Sequence, residues 1–302
     1  MEIKKTNNKK DRGVLYFAYN NEQINYVSQA AVSAALAKKY LTNVGAALVT
    51  SEFDLPYGNE HGVDPEEVFD HIIITDPPWE DQYRIYRDGQ DTKQKLPYRN
   101  INRIYAYDLS PFNETLLLDT DYIIQSNILD HCWGNIEPLM INHKATTVTG
   151  DDVAQSEIRL NEKTIPMYWA TVVYFIDHPI TDAYFTFIKN ATQYYKYYSK
   201  VFKYPSNAFR NDFVFSVASH MLDDYNENGF ISTLPNNKLV TSLDKDIILD
   251  VDFDTIKFFS YKYDKTQYHE TVHLVPTKVF SDVHIMNKFT LSSWLSKLAE
   301  RI

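Results

Sequence analysis

Two carboxylates one residue apart, Asp119 and Asp121, follow directly on the apolar run Leu116-Leu117-Leu118. Hard oxygen ligands at that spacing suit Mg2+ or Mn2+, and an ion held this way can in turn hold a diphosphate. In extended chain, residues i and i+2 point to one side, about 6.5–7 Å apart, so both side chains could reach one cation directly or through water. A short, continuous apolar run fits a parallel strand buried on both faces, and ligands of open α/β sheets sit beyond the carboxyl ends of such strands. The spacing is not unique in this acidic chain. Asp244 and Asp246, Asp250 and Asp252, and Asp252 and Asp254 share it, and Ile247-Ile248-Leu249 gives the last two pairs an apolar lead-in. Asp119 and Asp121 are favoured by the alternation of elements before them.

Gly13 to Ala18 reads as a buried strand, and the polar turn Tyr19-Asn20-Asn21-Glu22 can start a helix. Val27, Ala30, Ala31, Ala34, Ala35 and Ala37 give a helical stripe ending near Lys38-Lys39, closed by Asn43 and Gly45. Ala46 to Thr50 is the next strand. Asp64-Pro65-Glu66-Glu67 has the cap, first-turn proline and acidic first turn of a short helix, and His71 to Ile74 is a third strand. This βαβαβ order predicts a parallel sheet with right-handed crossovers. From Asp76 to Pro97 the chain is polar without sustained period, a long loop able to fold over a ligand. Tyr98 to Tyr107 reads as a helix with Arg99 and Arg103 on one face, which are phosphate ligands if a metal–diphosphate site is near and a solvated face otherwise. No Gly-x-Gly-x-x-Gly or Gly-Lys-Ser/Thr loop precedes the first helix, so dinucleotide dehydrogenases and P-loop nucleotidases fit poorly.

A chain of 302 residues can bury one large α/β core, and a single domain is expected after a solvated arm over residues 1–12 that carries Lys4, Lys5, Lys9, Lys10 and Arg12. The formal charge of −10 argues against a wholly basic surface but leaves room for a local basic face. The single cysteine, Cys132, excludes an intramolecular disulfide and a cysteine zinc site, and points to a reducing compartment, the cytoplasm. No signal-peptide core follows the N-terminal lysines. The longest apolar run, Tyr168 to Ile176 apart from Thr171, falls far short of the roughly 20 residues that span a bilayer, so no membrane association is expected.

A βαβ unit of this kind ending in an apolar strand and Asp-x-Asp resembles the GT-A glycosyltransferases. That fold is a mixed, mainly parallel α/β sheet flanked by helices. Carried onto this chain, the resemblance gives a catalytic domain over residues 13–290, with a nucleotide-sugar-binding half (13–125), an acceptor-side half (126–290) and a C-terminal helix over 291–302. Downstream, Asp282-Val283-His284-Ile285-Met286-Asn287-Lys288 is similar to the C-terminal segment of the glycogenin and galactosyltransferase-like branch. That branch carries His-x-x-Gly-x-x-Lys-Pro-Trp, whereas this chain has His284-x-x-Asn287-Lys288 without the glycine or the Pro-Trp. Met167 to Tyr174 resembles the branch's acceptor-side strand, and Phe209-Arg210-Asn211-Asp212-Phe213 its acidic motif.

The resemblance implies Asp119, Asp121 and His284 as ligands of Mn2+ or Mg2+, and a nucleotide sugar, of the UDP type, as co-substrate. It assigns the donor to Ala18, Tyr19, Asn20, Arg99, Arg103, Thr120 and Lys288, the acceptor side to Trp169, Asn211 and Asp212, and catalysis to Asp212 and Lys288. The bland alternatives are a structural His284 and an Asp212 that caps a helix over Phe213–Leu222. A nucleotidyltransferase using the same carboxylates, or a silent nucleotide-sugar-binding protein, are the rival functions. The branch resembled is retaining; sugar, anomeric outcome and oligomeric state stay open.

One further stretch stands apart: from Ala183 to Asn211 there is no Asp or Glu. At helical spacing Lys189, Lys196, Lys200 and Lys203 would share one face, with Tyr184, Ile188, Ala191, Tyr195, Tyr198 and Phe202 on the other. This is a solvated basic face, or a polyanion-binding face with Lys196 and Lys200 on the acceptor side. The composition is similar to that of large tailed phages whose glycosyltransferases decorate their own DNA. That similarity implies hydroxymethylated cytosine in DNA as acceptor, against a small glycan or protein hydroxyl.

Overall fold

The computed structural model describes residues 2–6, 11–76, 83–86, 94–97, 99–153, 165–204, 209–223, 230–265 and 270–302. Lys9, Lys10 and Tyr98, most of the expected loop over 76–97, and positions 205–208 of the acid-free stretch lie outside the described residues.

In chain order the strands are β1 (Glu2–Thr6), β2 (Arg12–Phe17), β3 (Gly45–Thr50), β4 (His71–Ile74), β5 (Tyr83–Tyr86), β6 (Gln94–Pro97), β7 (Glu114–Leu118) and β8 (Tyr122–Ile123). They continue with β9 (Leu139–Asn142), β10 (Ala145–Thr147), β11 (Trp169–Ile176), β12 (Leu239–Thr241), β13 (Ile247–Val251), β14 (Ile256–Lys265), β15 (Glu270–Val279) and β16 (Val283–His284). The helices are α1 (Tyr26–Tyr40), α2 (Pro65–Val68), α3 (Ala106–Leu109), α4 (Pro179–Gln193), α5 (Tyr195–Val201), α6 (Asn211–Leu222) and α7 (Lys288–Ala299).

Leu116, Leu117 and Leu118 lie fully buried in β7, inside a seven-stranded sheet of order β1-β4-β3-β2-β7-β11-β9. Its centre, β4-β3-β2-β7, is parallel, as the βαβαβ order predicts. β11 and β9 extend it antiparallel beyond β7, and β1 adds antiparallel to β4 at the other edge. Residues 2–6 are therefore not the solvated arm expected from their lysines. They pair with the backbone of β4, which would otherwise end the sheet as an open edge. A hairpin of β5 and β6 interrupts the expected loop.

α1 starts where Asn25 accepts a hydrogen bond from the Ser28 N–H. Ala30, Ala31, Ala34 and Ala37 join the cluster under the sheet, while Val32 and Leu36 join a second cluster with Leu291, Leu295 and Leu298 of α7. A helix covered on both sides is apolar nearly all round, and its alanines let the backbones come close. α7 begins at Lys288, earlier than the expected 291, because Asn287 caps it by accepting from the Thr290 N–H.

Two expected helices differ. Over 98–107 the chain forms a 3-10 helical turn, Asn100–Tyr105, and then α3. Three residues per turn do not hold positions i and i+4 on one face, and Arg103 turns inward to 1% exposure. The expected single helix across 184–203 breaks at Tyr194 (φ −104°, ψ 31°) into α4 and α5, and Lys203 adopts a left-handed φ of 50°. The basic stripe is split accordingly. Lys189 pairs with Asp108 at 2.7 Å, and Lys196 and Lys200 stand exposed on α5.

A smaller sheet of order β10-β12-β16-β8 matters most for the site. It sets β16 antiparallel to β8, with His284 opposite Tyr122, and so brings two segments far apart in sequence side by side. The Asp282 carboxylate locks this junction by accepting from the backbone N–H of Gln125 (2.8 Å) and Ser126 (2.9 Å). Burial pushes that carboxyl up to about 6 against the pull of those bonds. The third sheet, β13-β14-β15, packs on α7. Among the described residues no helix is long and apolar enough to cross a membrane.

Candidate functional site

β7 ends at Leu118, and the chain turns at once. The Tyr122 N–H donates to the Asp119 carbonyl (3.1 Å), so the two aspartates sit on a tight turn, not in the extended chain expected from their spacing. The Asp119 N–H donates to the Thr171 carbonyl of β11 and the Ile285 N–H to the Asp121 carbonyl, each at 2.9 Å. These bonds fasten the turn to β11 on one side and to the β16 segment on the other. One ligand atom each from Asp119, Asp121 and His284 then lie within 4.8 Å of one another. Two carboxylates and an imidazole are a donor set that could hold a divalent cation. The other Asp-x-Asp pairs are spent elsewhere. Asp250 and Asp252 both pair with Lys257, and Asp246 is buried, accepting from the backbone N–H of Leu243 and Tyr261.

Each carboxylate has a cation beside it. Arg103 pairs with Asp119 and also donates to the Ala170 carbonyl. Lys288 Nζ lies 2.8 Å from Asp121 Oδ2, and His284 Nε2 lies 3.4 Å from the same oxygen. Burial by itself would raise the Asp121 carboxyl, but Lys288 and His284 outweigh it and hold the group well below the usual carboxylate range. His284 is oriented from behind by Thr241, whose Oγ1 lies 3.2 Å from Nδ1. Thr241 Oγ1 also donates to the Ser242 carbonyl at 3.1 Å. With Nδ1 engaged by Thr241, Nε2 is the nitrogen that faces the aspartates.

Around this centre runs a cavity whose wall includes Tyr19, Arg99, Thr120, Trp169, Asp212 and Lys288 besides the three ligand candidates. Tyr19 is held by Thr75 (2.6 Å) and Asn102 (3.0 Å), and Arg99 by the Asn20 carbonyl (2.8 Å). Asp212 does not cap α6, which has Arg210 at its cap position. Its carboxylate instead accepts from the Ala170 N–H (3.0 Å) and from Arg210 (2.8 Å). Ala170 lies within a register shift between β11 and β9, and its freed N–H and carbonyl are taken by Asp212 and Arg103.

Several predicted donor and acceptor residues are not on this wall. Ala18 is buried in the sheet, where its N–H donates to Val49. Asn20 faces a neighbouring groove. Arg103 is buried beside Asp119 and does not line the cavity. Asn211 is buried, with Nδ2 donating to the Asn100 carbonyl, and Lys196 and Lys200 line no part of the cavity. Sequence reasoning missed Phe17, Tyr26, Asn100, Thr171, Arg210 and Met286 on the wall. Arg210 and Asn100 had a signal, since they adjoin Asp212 and Arg99 in sequence. Thr241 had none. The indole N–H of Trp169 and the amide oxygen of Asn100 are buried and have no hydrogen-bond partner among the described residues, and both side chains belong to the wall.

No protein-family model matches the chain, and no curated protein matches it. Among solved structures it is similar to the glycosyltransferase GlyE of Streptococcus pneumoniae TIGR4, at 12% identity over 75% of this chain and 45% of that one, with a TM-score of 0.40. It is also similar to the bifunctional glycosyltransferase WbbM in its apo form, at 10% identity over 76% of this chain and 40% of that one, with a TM-score of 0.41. A third similarity is to the galactosyltransferase LgtC in complex with donor and acceptor sugar analogues, at 12% identity over 67% of this chain and 68% of that one, with a TM-score of 0.38. The chain spans less than half the length of GlyE and WbbM.

The bond from Thr241 to His284 is testable by one isosteric change. Thr241→Val should weaken Mn2+ binding about 10–100-fold in calorimetric titration while leaving the circular dichroism spectrum unchanged. An unaltered titration would reduce Thr241 to a packing residue.

Proposed function

We propose that this protein is a metal-dependent glycosyltransferase that takes its sugar from a nucleotide-sugar donor, of the UDP type by resemblance. The observation that carries the reading is the convergence of Asp119, Asp121 and His284 at the carboxyl edge of parallel strands, with Lys288 beside them. When bound there, Mn2+ or Mg2+ would supply charge stabilisation to the diphosphate. Arg99, anchored on Asn20, lines the same cavity and would offer the phosphates a second cation. Tyr19 and Thr120 border the same space, and Lys288 stands where negative charge gathers on the departing nucleoside diphosphate. Asp212, fixed by Ala170 and Arg210 on the same wall, would face the sugar and the acceptor hydroxyl.

For the acceptor we propose DNA, with hydroxymethylated cytosine as the reacting base. Support comes from the acid-free stretch 183–211 and from α5, where Lys196 and Lys200 are exposed beside Tyr194 (51%) and Tyr197 (63%). Lysines for phosphates and rings for bases are the means by which proteins hold such polymers.

With Mn2+, a panel of nucleotide sugars should contain at least one that the protein hydrolyses slowly without acceptor. Asp119→Asn and Asp121→Asn should abolish that hydrolysis, and Asp119→Asn should also lower thermal stability because buried Arg103 loses its counter-charge. Nucleotide release in place of sugar release would point to the nucleotidyltransferase, and binding without turnover to a silent binding protein.

Two lysine–phosphate contacts on α5 should give a log–log salt slope of about −2 for duplex DNA binding. Lys196→Glu with Lys200→Glu should lower transfer to DNA and leave donor hydrolysis intact. Undetectable DNA binding at low salt would remove DNA as acceptor and leave the donor chemistry standing.

A further inference from the structure

The three carboxylates of the site are already balanced one by one. Asp119 has Arg103, Asp121 has Lys288 and Asp212 has Arg210. A divalent cation entering such a site adds two positive charges to groups that are already neutralised. Something must leave, or a second anion must arrive.

The partners differ in how firmly they are held. Arg103 is 1% exposed and has a second bond to the Ala170 carbonyl, so it is built into the core. Lys288 sits on a flexible four-carbon stem in the first turn of α7, on the cavity wall, and also donates to the Met286 carbonyl at 3.2 Å. Its ammonium is also closer to Asp121 Oδ2 than His284 Nε2 is, at 2.8 Å against 3.4 Å. A cation held by Asp121 and His284 together would therefore meet the Lys288 ammonium at the same carboxylate. Two cations on one buried carboxylate repel each other strongly, because little water lies between to screen them.

We infer that Lys288 is an exchangeable counter-ion, and that a divalent cation displaces it from Asp121 and frees it for the diphosphate. The same lysine thus opposes metal binding when no diphosphate is present and favours it when one is. Metal and nucleotide diphosphate then bind with positive coupling, each raising the affinity of the other by the same factor. The inference rests on the proposed metal-dependent donor site. It goes beyond that reading in making Lys288 the element that couples the two ligands.

The test is a titration of Mn2+ followed by the electron paramagnetic resonance signal of the free ion, with and without UDP. Without UDP, Lys288→Met should bind Mn2+ more tightly than the wild type, by about fivefold or more. UDP should tighten Mn2+ binding to the wild type, and that enhancement should shrink in Lys288→Met by a similar factor. Lys288→Arg, which keeps the charge, should behave as the wild type does. Lys288→Gln provides a second neutral variant should Lys288→Met fold poorly. If the wild type binds Mn2+ and neither neutral variant binds it more tightly, the exchange is wrong and the metal site stands. If no form binds Mn2+ with or without UDP, the metal site and the exchange fall together.

Discussion

Two carboxylates cannot share a turn in a protein interior without nearby positive charge, and the pairing of Arg103 with Asp119 supplies the fixed part of it. The guanidinium reaches the aspartate from one side and the Ala170 carbonyl from the other, so it also ties the 3-10 turn at 100–105 to the start of β11. Removing one member of a buried pair typically costs about 3–5 kcal/mol, because the other is left uncompensated. Arg103 is thus a residue of the fold as much as of the site. Every cavity group on that side, from Asp119 to Asp212, is positioned through the same short stretch of β11.

The other half of the site depends on topology. His284 reaches the aspartates only because β16 lies against β8, and that pairing is locked by Asp282 on the backbone of Gln125 and Ser126. Behind it, α1 packs against both the main sheet and α7, so Lys288 at the head of α7 is carried to the same edge. Gln29 spans this contact, its oxygen 3.4 Å from Thr120 and its amide 3.1 Å from Ser292. His284 and Lys288, more than 150 positions along the chain from Asp121, thereby meet at one of its oxygens.

Much of this was legible wherever the signal was local. β2, α1, β3, α2, β4 and β7 announce themselves by apolar runs, an alanine stripe and the cap at Asp64, whose side chain accepts from the Glu66 N–H. Asp119 and Asp121 were legible as residue types that bind a hard cation, and His284 only through the resemblance; their geometry was not legible, since the spacing suggested extended chain and the chain turns. What stayed hidden was set by distant partners. Lysine-rich residues 2–6 form a strand because β4 offers an open edge, and Arg103 is buried because Asp119 and Ala170 receive it. The break at Tyr194 has no glycine or proline to mark it. Asp212 looked like a helix cap because the register shift that exposes the Ala170 N–H is a property of two strands together.

The central claim is that Asp119, Asp121 and His284 form one metal centre beside a diphosphate site. Crystals grown with Mn2+ and UDP, measured for the anomalous scattering of manganese, test it most directly. The account predicts a single strong peak among these three side chains, with the diphosphate against it. A peak at Asp250 and Asp252, or none at the three residues in crystals that contain UDP, would contradict it.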